Sequence, residues 1–166
     1  RARLAQIALA NGDVQAADAE LREATGAARQ LPSVRVARVR TDLAAGRYEA
    51  VLAALEGATD VPARDVVLLR AAALRSTGRA ADGLAALRAA SSAVPTDQEL
   101  VVEIAAGLMA IGNPAQAERE LDEFIARVPG AADALLARGN LRIRQGAVAD
   151  ARTDAIAAIK AAPPSW

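Results

Sequence analysis

Four carboxylates crowd one stretch of the chain: Glu118, Glu120, Asp122 and Glu123. Paired carboxylates are what a hard divalent cation or a general acid–base couple requires. On a helix, however, only Glu118 with Asp122 and Glu120 with Glu123 share a face, and Arg119 and Arg127 stand close by. The expected reading is a solvated helix surface. Ser91 and Ser92 are the other candidate chemistry, as nucleophiles, but no His or Lys neighbours them to take the proton. The chain has no Cys and no His at all. That removes disulfides, thiol nucleophiles, zinc ribbons and the commonest general base and metal ligand. No catalytic residue, cofactor or metal is therefore expected, and the chain reads as a non-enzyme.

What must position any site is an alanine-rich helical chain. Of 166 residues 46 are Ala, and the aromatics are only Tyr48, Phe124 and Trp166. Twenty basic residues balance twenty acidic ones, which argues against a broadly nucleic-acid-binding surface. Apolar runs such as 104–111 fall far short of the ~20 residues of a membrane span, so direct membrane insertion is not expected. The chain opens Arg1-Ala2-Arg3-Leu4 without Met or a signal segment, so it reads as a piece of a longer protein. Its compartment, cytoplasm or periplasm and envelope, stays open. Lys160 is the only lysine beside many arginines, a codon bias that points to a bacterial source.

Glycines set a period. Gly12, Gly46, Gly78, Gly112 and Gly146 are spaced 34, 32, 34 and 34 residues apart, and Pro32, Pro62, Pro95, Pro129 and Pro163 follow in step. A Gly and a Pro returning near every 34 residues mark a stacked helical repeat. Each Gly is placed to end one helix at a left-handed C′ position. In Gly112-Asn113-Pro114 the ending Gly is followed at once by an Asn cap and a Pro at the first helical position. Thr96-Asp97-Gln98-Glu99 offers a capping box for another start. Each unit is thus helix A, a tight turn, helix B and a Pro-containing loop.

Alignment on the glycines shows a common register. Five residues after each stands a small or compact residue (Ala17, Val51, Gly83, Ala117, Ala151), and nine after come Leu21, Leu55, Leu87, Leu121 and Ala155. Twelve after come Ala24, Ala58, Ala90, Phe124 and Ala158; seven before come Ala5, Val39, Ala71, Ala105 and Gly139. Small residues let the two helices approach and the leucines fill the seams. In this pattern the chain resembles the tetratricopeptide repeat family over essentially its whole length. The resemblance implies an all-α fold: a right-handed α-α superhelix of five helix-turn-helix repeats, at about 1–32, 33–64, 65–98, 99–132 and 133–166.

Two departures stand out. The large aromatics of the family are mostly missing. From Gly12 to Pro32 is 20 residues, against 16 or 17 in the other repeats, and from Pro32 to Gly46 only 14. If Pro32 closes the first repeat, its helix B is about a turn longer and the next helix A shorter. Gly57 then lies inside helix B of repeat 2, making that repeat the softest.

The resemblance also implies a ligand face, with helix A lining the concave surface. Helices A, taken as 1–11, 33–45, 65–77, 99–111 and 133–145, carry ten arginines against five carboxylates, so a basic inner face could oppose an acidic outer one. The family's ligand-facing positions fall on Gln6, Leu9, Val36, Arg40, Leu43, Leu68, Arg75, Val102, Met109, Leu136, Asn140, Ile143 and Arg144. Apolar anchors with Arg at intervals suit a peptide or protein partner, an acidic one included. Alternatively Val36, Leu68, Val102 and Leu136 pack between adjacent A helices. Asn140 resembles the clamp Asn that pairs with a peptide C-terminus in chaperone-binding members, but the matching Lys and second Asn are absent. Arg38, Arg70 and Arg138 share one position, where a stem over apolar surface and a head paired with a neighbouring carboxylate or helix end is the expected role.

The functional expectation is a non-catalytic interaction scaffold. Two alternatives carry the same fold: the docking arm of a larger envelope or exopolysaccharide-export protein, or of an enzyme with its catalytic domain elsewhere. An RNA-binding helical repeat is disfavoured by Glu99, Glu103 and the apolar inner positions. Pro163 and the residues after it begin no further capping helix, which would leave Ile156 and Ile159 in water. Self-association through that end, or cover by Trp166, is the expectation.

Overall fold

The computed structural model describes residues 1–161; Pro163 and Trp166, with the expectations placed on them, lie outside the described residues. Among the described residues there are ten α-helices and one 3-10 turn, and no strand. The helices are α1 (Ala2–Ala10), α2 (Val14–Arg22), α3 (Pro32–Ala44), α4 (Tyr48–Leu55), α5 (Ala63–Ser76), α6 (Ala80–Ala93), α7 (Gln98–Ala110), α8 (Pro114–Arg127), α9 (Ala132–Arg144) and α10 (Val148–Ala161). The 3-10 turn, Gly26–Gln30, lies between α2 and α3. The chain divides into two compact units, one from Arg1 to Arg79 and one from Ala80 onward.

The turn glycines do what their spacing requires. Gly12, Gly46, Gly78, Gly112 and Gly146 all hold φ between +73° and +82°, a region that penalises any Cβ. After each, the next amide reaches back five residues: Asp13 N–H to the Ala8 carbonyl, Arg47 to Asp42, Arg79 to Leu74, Asn113 to Leu108 and Ala147 to Arg142. This closes the orphan carbonyls of the helix end in the Schellman manner. Helix starts are capped unevenly. The Asp13 and Asn113 side chains accept from Ala16 N–H and Gln116 N–H, and Asp97, not Thr96, caps α7 by accepting from Glu99 and Leu100.

The common register is the core. Ala5, Val39, Ala71, Ala105 and Gly139 are all buried, as are Ala17, Val51, Gly83, Ala117 and Ala151. Leu21, Leu55, Leu87 and Leu121 are each at most 2% exposed, and Phe124 is fully buried. In the first unit these gather into two apolar groups. Ala5, Ala17, Leu21, Ala24, Val34 and Ala37 join α1, α2 and α3. Val36, Val39, Val51, Leu55, Val61, Leu69 and Ala73 join α3, α4 and α5. In the second unit α7 packs on α6, α8 and α9, and α9 on α8 and α10.

Repeats 1 and 2 differ from the expectation. Helix B of the first repeat is not lengthened: α2 has nine residues, and the surplus forms the 3-10 turn that opens at Gly26 with φ +53°. Helix A of the second is not shortened: α3 has 13 residues, as do α7 and α9, because Pro32 starts it instead of closing the helix before. Pro suits a first helical position, where its missing N–H leaves no bond unmade. Nor does Gly57 interrupt a helix. It follows the end of α4 with φ +63°, so it punctuates the chain as the turn glycines do.

Candidate interaction surface

The helix-A arginines are mostly committed to neighbouring helices. Arg38 donates Nη2–H to the Leu21 carbonyl at the end of α2, 2.7 Å away, with Asp18 at 3.7 Å. Arg40 reaches Asp65 at 3.1 Å, and Arg1 pairs with Glu20 and Glu23. Arg35 pairs with Asp60. Much of the positive charge on helices A is therefore paired with carboxylates of neighbouring helices and loops. Of the three equivalent arginines, Arg38 and Arg138 take the expected paired role, while Arg70 is exposed.

The acidic cluster is not simply solvated. Glu118 accepts from Arg142 at 3.0 Å, Asp122 from Arg138 at 2.6 Å, and Glu120 from Arg88 at 3.2 Å. Only Glu123 of the four is exposed as a whole residue. Arg138 and Arg142 also hold Asp154 of α10, whose side chain is 2% exposed. A buried carboxylate needs such partners to stay charged. The hydrogen bond from Arg138 to Asp154, foremost, and the one to Asp122 push the Arg138 guanidinium up from its ordinary value against the opposing effect of burial. Asp154 was invisible to sequence reasoning. One signal was available: Gly139 stands where the other repeats have Ala or Val. A Cβ there would meet the Ala151 carbonyl at 3.4 Å and Asp154 Cβ at 3.5 Å, the mark of close helix approach.

The expected partner-facing residues separate into two kinds. In the first unit Val36 belongs to the core, Leu68 is 7% exposed, and Leu9 and Leu43 pack against core groups. Arg40 is paired, Arg75 is half-buried, and Gln6 is exposed. Here the packing alternative fits Val36 and Leu68. In the second unit Val102 and Met109 of α7 are half-buried. On the adjacent α9, Leu136 is 46% and Ile143 58% exposed, with Asn140 and Arg144 exposed beside them. Leu136, Asn140, Ile143 and Arg144 recur at helical spacing, so they share one face. Leu136 is in register with Val102, and Ile143 with Met109. The Gln98 side-chain Oε1 accepts from Asp133 N–H at 3.3 Å and ties the starts of α7 and α9 together.

Paired helices closed by left-handed glycine turns and stacked in register define a helical-repeat protein. Residues 103–165 match the tetratricopeptide repeat family model, and the ten helices among the described residues fit the same assignment. Comparison with curated proteins gave no match. No helix among the described residues is long and apolar enough to cross a membrane. Tetratricopeptide repeats generally mediate protein–protein interaction and are typically non-catalytic.

Proposed function

We propose that this chain is a non-catalytic scaffold that binds a peptide or protein segment on its helix-A surface, with α7 and α9 as the main contact. The observation that supports this reading is the exposure of Leu136 and Ile143 on a helix whose opposite side is packed. Apolar side chains at i and i+7 offer two anchor points to a ligand, and Asn140 and Arg144 between and beside them offer a donor–acceptor amide and a guanidinium fork for a carboxylate. Within the first unit, Gln6, Arg40, Leu43 and Arg75, the exposed or half-buried members of a set that also includes Val36 and Leu68, are proposed as contact residues on that unit's own helix-A surface. An acidic segment suits Arg144. A bacterial source and a docking role within a larger protein belong to the same proposal.

The test is selection of binders from a displayed random-peptide library, followed by titration against Leu136→Glu and Ile143→Glu variants. Both positions are exposed, so the fold should tolerate the change. Loss of binding in both variants with unchanged melting supports the surface. Selected peptides that bind the variants as well as the parent would refute it.

A further inference from the structure

We propose a second binding site in the first unit: a cleft between α2, the 3-10 turn, α3 and α4 that takes a dianionic phosphoryl group. The cleft encloses ≈ 420 Å³ and is lined by Arg22, Arg29, Arg35 and Arg38 over an apolar floor of Val34, Val39 and Ala54. It uses none of the residues of the helix-A surface proposed above.

Four arginines line it from three elements. Two of them have a structural duty. Arg29 donates Nε–H to the Ala24 carbonyl at 2.6 Å and Arg38 donates to the Leu21 carbonyl at 2.7 Å, so both cap the C-terminal end of α2. Capping uses one N–H of each, and a guanidinium has five in a planar fork. Arg35 is held by Asp60 and Arg22 by Asp18. Those two carboxylates are the only acidic groups bonded to the four arginines among the described residues, and Asp18 is shared with Arg47 at 3.4 Å. Four cations against two anions leave an excess near two charges. That excess matches a phosphate monoester, which carries about −1.5 to −2 near neutral pH, better than it matches one carboxylate. Bidentate guanidinium forks are the preferred partners of phosphate oxygens. The arginines are also reachable: the Arg22 side chain is 75% exposed, Arg35 36% and Arg38 37%.

The phosphoryl group can arrive on a peptide or as a free phosphate compound, and the test separates the two. Inorganic phosphate is titrated into the protein at constant ionic strength while the arginine Nε–Hε resonances are followed, with acetate and chloride as controls. Saturable shifts at Arg29 and Arg35 with phosphate, without saturation by acetate or chloride, are expected. Arg22→Gln should weaken phosphate binding several-fold, and Arg22→Gln with Arg29→Gln by about tenfold or more. Since Arg29 caps α2, the single Arg22→Gln variant keeps the test valid if the double variant melts early. A phosphoserine peptide binding more tightly than inorganic phosphate, with its unphosphorylated form inert, identifies a phosphopeptide; equal affinity identifies a free phosphate compound. Absence of saturation, equal response to chloride, or an unchanged affinity in Arg22→Gln overturns the proposal.

Discussion

Asp154 of α10 accepts two hydrogen bonds from Arg138 of α9, from Nε at 3.1 Å and from Nη2 at 2.6 Å, one on each carboxylate oxygen. Arg142, one turn along, adds a third at 2.9 Å. Both arginines also reach the carboxylates of α8, so one fork on α9 links three helices. The pairing is bidentate and nearly dry at Asp154, the arrangement in which an ion pair is hardest to replace on one side alone.

Removing Asp154 should therefore be costly. Asp154→Ala is expected to destabilise by about 1.5–3 kcal/mol, since it removes the buried carboxylate from two arginines whose side chains are only 16% and 20% exposed and leaves them Asp122 and Glu118. Combining it with Arg138→Met should cost less than the two single changes added together. Denaturant unfolding of the two single variants and the double variant measures this. Strict additivity would show that the pair is not coupled.

The pH response follows from the raised Arg138 value. A cation whose folded pKa lies above its unfolded one stabilises fully below the unfolded value and loses that only as pH climbs through the folded one. For an arginine this window is strongly alkaline. The stability difference between the parent and Arg138→Met should thus stay flat from about pH 7 to about pH 10. Thermal melts across that range at fixed ionic strength check it; a falling difference would mean another group controls the contact.

Leu87→Ala and Leu121→Ala should each destabilise by about 2–5 kcal/mol, because both side chains are buried at equivalent seam positions. Chemical denaturation of each gives the value. A loss under about 1 kcal/mol in both would place the seams elsewhere.

Gly139 and Gly107 should respond differently to a side chain. At Gly107 a Cβ would stand 3.0 Å from Leu84 Cδ2, the end of a flexible side chain. Gly107→Ala should accordingly be near neutral, since the helix gains about 1 kcal/mol in propensity. Gly139 faces the Ala151 backbone, which cannot swing aside. Gly139→Leu should lose about 1–3 kcal/mol or more and take the Arg138–Asp154 contact with it. Melting of the two variants, with the Arg138 Nε–Hε resonance as reporter, decides the matter.

Amide exchange should be faster in α4 than in α8. The first has eight residues and the second 14, anchored by Asn113 and the buried Leu121 and Phe124. Short helices have few protected amides and open locally at low cost. Equal protection in the two would contradict this.

The legible part of this fold is the part with a single physical solution. A left-handed C′ position demands Gly, so five glycines fixed five turns and, through them, the buried register from Ala5 to Ala158. Pro32 has two solutions, since Pro ends one helix and starts another equally well. The wrong one gave a long helix where α2 stops at Arg22 and a 3-10 turn follows. Gly57 was ambiguous in the same way. A paired role for Arg138 was legible from its position, but Asp154 as its partner, and Arg142 beside it, were not, because they pair across helices, 12 and 16 residues apart, where no local rule connects them. The partner-facing positions came from register alone. Register cannot separate Val36, closed over by neighbours, from Leu136, which is open.

The repeated turn also makes the chain divisible. Gly112 and Gly146 hold nearly the same φ, +76° and +82°, and each is followed by the same five-residue return bond. A segment running from one to the other begins and ends in one backbone conformation. Duplicating or excising it rejoins the main chain without a geometrical seam. Side chains on either side must still be matched, but the joint itself is interchangeable. A gene carrying such joints can change its number of repeats by simple recombination and keep every turn intact.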